Sequence, residues 1–287
     1  MNYKKIRIFA AALTFAVLLT GCNRYGTDMS KEYKEFLDYT FNGSYSVELT
    51  EEGVINEDTD HEQGYRYWDV TYTDKFGEQH TVQMTGAQLS KAKKEYFKTQ
   101  EWYDTFEMAA FTRTQVSDIA KQQFADEVLS KYFDGEFEES GFRYVGEEYQ
   151  IMFSPMAPQY GFNEMGYKIA TQEISAKDGY KISECDLSTL AQNDEYTFMI
   201  YISLEPDADA ADYDEIAHKV EQDFLEYTNG RCNYQFVYRQ YKNEMHNESE
   251  TFYKHTVFLG EEFVPDSSIE GDNFLKAVFR YIEKKYQ

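Results

Sequence analysis

Phe36-Leu37-Asp38-Tyr39-Thr40-Phe41-Asn42-Gly43 closes one amphipathic segment, and Phe224-Leu225-Glu226-Tyr227-Thr228-Asn229-Gly230 closes another. In both, apolar residues at helical spacing run into Asn-Gly, the pair that most readily takes the left-handed conformation ending a helix. In both, the residues that follow read as strands. Leu129-Ser130-Lys131-Tyr132-Phe133-Asp134-Gly135 is a looser third version. The stretch predicts an α+β chain of helix-then-antiparallel-strand units, used up to three times. Convergence gives the same pattern, because many amphipathic helices close on an aromatic followed by Asn-Gly or Asp-Gly.

Around these anchors the remaining elements fall into place. Ser30 precedes the first helix, whose Tyr33, Phe36 and Leu37 share a face. Tyr45, Val47 and Leu49 alternate with Ser46, Glu48 and Thr50, and Trp68, Val70 and Tyr72 alternate with Tyr67, Asp69 and Thr71. Asp74-Lys75-Phe76-Gly77 is a turn, and 79–84 returns as a third strand. Residues 87–134 contain no Pro or Gly and read as two helical stretches, the second after Thr114. Strands are predicted at 142–145, 149–153, 167–174, 196–204, 234–241 and 251–259. A helix over 212–228 would bury Ile216, Val220, Phe224 and Leu225, with Asp212 as its cap. A C-terminal helix over 273–285 would bury Phe274, Val278, Tyr281 and Ile282. The pattern divides into an N-terminal α+β domain, 31–112, and a C-terminal one, 113–287. The helix-then-meander order of 31–84 is similar in shape to small extracytoplasmic PepSY-type domains, and 195–287 is compatible with a ferredoxin-like split arrangement.

The first 22 residues carry an address. Lys4, Lys5 and Arg7 precede an apolar run from Ile8 to Thr20. That run is too short for a spanning helix, which needs about 20 residues, and suits the core of a secretory signal. Leu19-Thr20-Gly21-Cys22 resembles the lipobox of bacterial lipoproteins. The resemblance implies a signal peptide over 1–21, Cys22 as the first mature residue carrying palmitate-type lipid, and a tether over 22–30. It places the protein on the extracytoplasmic face of the cell membrane. The alternative is a true membrane anchor with Cys22 an ordinary thiol.

Composition limits the partners. The chain holds 28 Lys and Arg against 52 Asp and Glu, a net charge of −24. Removal of residues 1–21 would take away three cations and no acidic residue. Such a field repels nucleic-acid phosphates and anionic headgroups, so nucleic acid is excluded as a partner and a basic cell-envelope protein is compatible. Hydrophobic content of 42% is enough to build cores. Besides Cys22 there are Cys185 and Cys232; a disulfide is permitted outside the cytosol, but two separate thiols are the favoured expectation.

Chemistry-bearing motifs are scarce. None of the five histidines pairs with another at i, i+4, although His246 and His255 flank a predicted hairpin and could face each other. Two acidic runs invite a calcium reading: Asn56, Asp58, Asp60 and Glu62, and Glu205, Asp207, Asp209, Asp212, Asp214 and Glu215. An EF-hand loop needs Gly at its sixth position and Glu at its twelfth. From Asp207 those positions hold Asp212 and His218, and from Asn56 they hold His61 and Tyr67. No metal and no cofactor is expected. Nucleophile elbows, phosphate loops and Cys-x-x-Cys pairs are missing as well.

Tyr65, Tyr67, Trp68 and Tyr72 cluster on one strand and could contact a ligand, although strand alternation sends half of them to the core. The sequence thus favours a lipid-anchored, non-catalytic binding module. The alternatives are an extracellular hydrolase using a carboxylate pair and a carbohydrate-binding surface protein. A two-lobed solute-capturing fold is disfavoured, because parallel strands and helices do not alternate regularly.

Overall fold

The computed structural model describes residues 31–257 apart from 60, 90–96, 139–140, 142, 157–167, 169–170, 172–180, 194–195 and 231. The signal segment, Cys22, the tether and the predicted helix over 273–285 lie outside the described residues. So does most of the strand predicted at 167–174; its two described residues, Lys168 and Thr171, are helical. The fold is α+β, in two compact units: the first takes the chain up to Phe111 together with 162–174, and the second takes 112–161 and the chain from Ser175 on. Among the described residues no helix is long and apolar enough to cross a membrane.

In the first unit α1 (Lys31–Thr40) precedes a three-stranded antiparallel meander: β1 (Tyr45–Ile55), β2 (Gln63–Thr73) and β3 (Gln79–Ala87). Tyr33 and Leu37 of α1 are wholly buried, as are Val70 of β2 and Phe41 of the connection. The Phe41 ring stacks on Tyr72 at 4.2 Å, and Tyr33 lies 6.0 Å from Trp68. β1 pairs on one side among the described residues; it carries exposed Glu48, Glu51 and Glu52, with a bulge between Leu49 and Glu51.

α2 (Gln100–Glu127) is one continuous helix, where the sequence predicts two stretches beginning at Ala87. Ala87 instead pairs with Tyr65 in the sheet. The absence of Pro and Gly permits a helix without requiring one, and strand pairing claims Ala87. Trp102 and Tyr103 of α2 pack with Ala87, Leu89 and Phe97.

The second unit is a six-stranded sheet in the order β4 (Glu136–Phe137), β5 (Arg143–Val145), β6 (Tyr149–Met156), β7 (Thr197–Leu204), β8 (Asn233–Tyr241) and β9 (Ser249–Val257). All neighbours are antiparallel except β7 and β8, which are parallel. A parallel pair needs a crossover, supplied by α4 (Ala210–Tyr227). A short α3 (Leu187–Ala191) is capped by Asp186 and held to α2 through a 2.6 Å bond from the Leu187 amide to Gln123. Phe224 of α4 lies 5.7–6.1 Å from Phe124 of α2, Phe153 of β6, Phe198 of β7 and Tyr234 of β8.

The buried stripe of α4 is Ala217, Val220, Glu221 and Phe224, so Ile216 and Leu225 are only half-buried. Its N-cap is Asp209, whose carboxylate accepts from the Ala211 amide; Asp212 sits in the first turn. The two Asn-Gly ends share one geometry. Asn42 and Gly43 have φ of 54° and 73°, and Asn229 and Gly230 have 58° and 66°. Each glycine amide reaches back to a carbonyl five residues earlier, Asp38 or Leu225. Matched on these caps, buried Phe41 occupies the place of buried Thr228. Gly135, in the looser copy, is not left-handed; a Cβ there would lie 2.6 Å from the Val145 carbonyl.

Phe224→Ala should cost about 3–5 kcal/mol, the range for a large core aromatic, whereas Phe76→Ala, 57% exposed at a hairpin tip, should cost under about 0.5 kcal/mol. Urea unfolding of the two variants checks this.

Candidate functional site

Parallel pairing of β7 and β8 sends both strands out at the same end of the second unit, and antiparallel β6 begins there, with Tyr149 opposite Leu204. The β5–β6 turn, the β7–α4 loop and the β8–β9 hairpin therefore converge. They enclose a cleft of about 650 Å³ lined by Glu147, Glu148, Glu205, Asp207 and Glu244, with Lys242, Pro206, Ala208, Asn243 and Met245. Loops at the carboxyl ends of parallel strands are where open sheets commonly bind ligands.

Hydrogen bonds hold these loops in place. The Gln240 amide donates to the carbonyls of Glu205, Pro206 and Ala208 at 3.1, 3.2 and 2.7 Å. The Glu205 amide donates to the Glu148 carbonyl, and the Tyr213 hydroxyl donates to Glu148 Oε2 at 2.7 Å. Gln150 Nε2 donates to Glu205 Oε1 and to His246 Nδ1. Because that nitrogen only donates, His246 Nδ1 accepts, and its Nε2–H donates to Glu205 Oε2 at 2.7 Å. The His246 ring stacks on Tyr241 at 4.2 Å, and His246 holds a left-handed backbone, φ 54°. Met245, 76% exposed, stands at the lip.

A second polar cluster lies on α4, β8 and β9. Buried Glu221 accepts from Tyr234 and Tyr253 at 2.9 and 2.8 Å and from His255 Nδ1 at 2.7 Å. This accounts for a carboxylate in the buried stripe of α4. His246 and His255 therefore do not face each other: one sits in the hairpin turn, the other opposite Phe236 well along the sheet.

The four candidate aromatics do not form one surface. Trp68 and Tyr72 point into the core of the first unit, 3% and 2% exposed. Tyr65 and Tyr67 are half-buried on the opposite face, ring centroids 5.2 Å apart, with the Tyr65 hydroxyl donating to Glu51. The period of two separates them. Of the acidic runs, the second supplies Glu205 and Asp207 to the cleft, while Asp209 caps α4 and Glu215 pairs with Lys219. In the first, Glu62 accepts from the Asp58 amide as part of the turn, and Asp60 lies outside the described residues. Among the described residues no group of three or more His, Cys, Asp or Glu side chains is arranged to hold a metal. Cys185 and Cys232 are buried and no disulfide joins them; burial pushes the Cys232 thiol up to about 11.

Sequence reasoning missed Glu147, Glu148, Lys242 and Glu244. Their signal was modest: each falls in a gap between predicted strands, where turns must lie. The chain matches no protein-family model, no curated protein and no solved structure.

Tyr213 and Tyr253 are pushed up to about 12, by burial first and then by donating to Glu148 and Glu221. A raised folded value stabilises the fold below the unfolded value of 10.0, and this is lost as pH rises through about 12. The urea midpoint should therefore fall between these values. Tyr213→Phe and Tyr253→Phe should each make that fall shallower; an unchanged slope in both would contradict the assignment.

Proposed function

We propose that the protein is an extracytoplasmic lipoprotein, held to the membrane through Cys22, whose second unit captures a cationic ligand in the acidic cleft. The observation that carries this reading is the convergence of five carboxylates and one lysine on a single cavity at the ends of β6, β7 and β8. Ion pairs at such a rim favour encounter and orientation more than raw affinity. The loops are already tied by Gln240, Gln150 and Tyr213, so little ordering is left to oppose binding. The acidic lining is compatible with the basic partner expected from net charge. A stacking surface for sugars has less support, because Trp68 and Tyr72 are enclosed.

Cys22→Ala should abolish incorporation of a fatty-acid label and leave residues 1–21 attached. Wild-type chain that takes up no label while retaining those residues would remove the anchor from the proposal.

The cleft is tested with an oligolysine peptide on the detergent-solubilised chain. Binding should weaken as salt rises past 0.1 M, where screening acts within about 10 Å. Glu148→Gln and Asp207→Asn should each weaken it about two- to fivefold, from about 0.5–1 kcal/mol per exposed pair. Equal binding of a neutral peptide would overturn the cationic reading, and turnover of a substrate lost with one carboxylate would overturn the non-catalytic one.

A further inference from the structure

The core-facing row of β1 is left half open. Tyr45, Val47 and Leu49 stand opposite Tyr72, Val70 and Trp68 across the strand pair, and residues so paired share a face. Tyr72, Val70 and Trp68 are at most 3% exposed, whereas Leu49 is 48% exposed and Tyr45 and Val47 are half-buried. The cover that Tyr33 of α1 gives to Trp68 does not extend over Leu49. A cavity of about 480 Å³ remains there, lined by Tyr45, Val47, Leu49 and Trp68 together with Lys34 and Asp38 of α1.

Beside this groove runs a strand edge. Among the described residues β1 pairs with β2 alone, and the bulge after Leu49 confines a regular new partner to Tyr45–Leu49. The other face of the same run is acidic. Exposed Glu48 stands directly opposite Asp69, and Asp69 opposite Gln83. The next residues on that face are Ser46, Thr71 and Thr81 on one side and Glu51, Tyr67 and Thr85 on the other, none of them basic. Like charges directly opposite one another on a strand pair are unfavourable, and a cation on a third strand beside Glu48 would offset them.

We propose that β1 takes an added strand over Tyr45–Leu49 from a partner segment in which apolar residues alternate with basic ones. In strand addition the main chain supplies affinity and pockets for alternate side chains supply selectivity. Apolar residues set opposite Tyr45, Val47 and Leu49 enter the groove over Trp68. Basic residues set opposite Ser46 and Glu48 fall on the other face, beside the Glu48 and Asp69 carboxylates. The edge therefore selects the alternation and not positive charge alone. It lies wholly within the first unit and does not depend on the acidic cleft of the second.

The probe is the capped peptide Thr-Val-Lys-Val-Lys-Val-Thr, titrated into the detergent-solubilised full chain, with amide hydrogen exchange as a second readout. Wild-type chain should bind it saturably, and exchange should slow within 45–49. The same residues reordered as Thr-Val-Val-Val-Lys-Lys-Thr should bind about tenfold more weakly or worse, because the alternation is lost at equal charge. Glu48→Gln should weaken the probe about two- to fivefold, the scale of one cross-strand ion pair. Leu49→Thr, which keeps a strand-forming residue, should weaken it about fivefold through lost apolar contact. If that variant fails to fold, the reordered peptide decides, since it leaves the chain intact. Glu148→Gln and Asp207→Asn should leave probe binding in place even if they abolish oligolysine binding, so failure of the cleft and failure of the edge are separate results. No saturable binding, equal binding of the two peptides, loss of probe binding in the cleft variants, or protection confined to the second unit would overturn the docking edge. Protection of 45–49 that rises with chain concentration in the absence of peptide would assign the edge to a second copy and overturn it as well.

Discussion

The ring of Phe224 occupies the point where α4, α2 and three neighbouring strands meet. Parallel β7 and β8 cannot be joined by a tight turn, so α4 must cross the sheet, and burying Phe224 against Phe153, Phe198 and Tyr234 holds that crossover down. Everything at the cleft end follows from it. Leu204 and Gln240 lie side by side at the end of the parallel pair, so the segments that follow have to share one rim.

That rim is polar by necessity. Loops expose backbone groups that must find partners, and Gln240 serves three carbonyls in succession. Glu147, Asp207 and Glu244 line the cavity beside those tied carbonyls. The contrast with Glu221 is instructive. There the carboxylate is enclosed and meets three donors of its own unit, so it serves the packing of α4 against β8 and β9. Identical chemistry divides into structure and exposed charge according to what surrounds it.

Local signals in the chain were readable, and distant pairings were not. Asn42-Gly43 and Asn229-Gly230 announce their caps because the left-handed turn is a property of those two residues alone. The alternation of Trp68, Val70 and Tyr72 likewise reports its own buried face. Glu221 misleads, since its polarity hides a stripe completed by Tyr234, Tyr253 and His255 from distant segments. Ala87 misleads for the same reason, being claimed by Tyr65 of β2. The cleft was half visible: its turns lie in gaps between predicted strands, but their convergence depends on β7 running parallel to β8, which no local pattern encodes.

The acidic edge of β1 has a consequence for how copies of the protein coexist. A strand paired on one side, as β1 is among the described residues, offers amides and carbonyls to any other strand, the usual seed of aggregation. Two chains meeting through β1 would bring Glu48, Glu51 and Glu52 of each into opposition, and the bulge at Leu49 and Glu51 would spoil their register. Copies approaching through this edge would therefore repel.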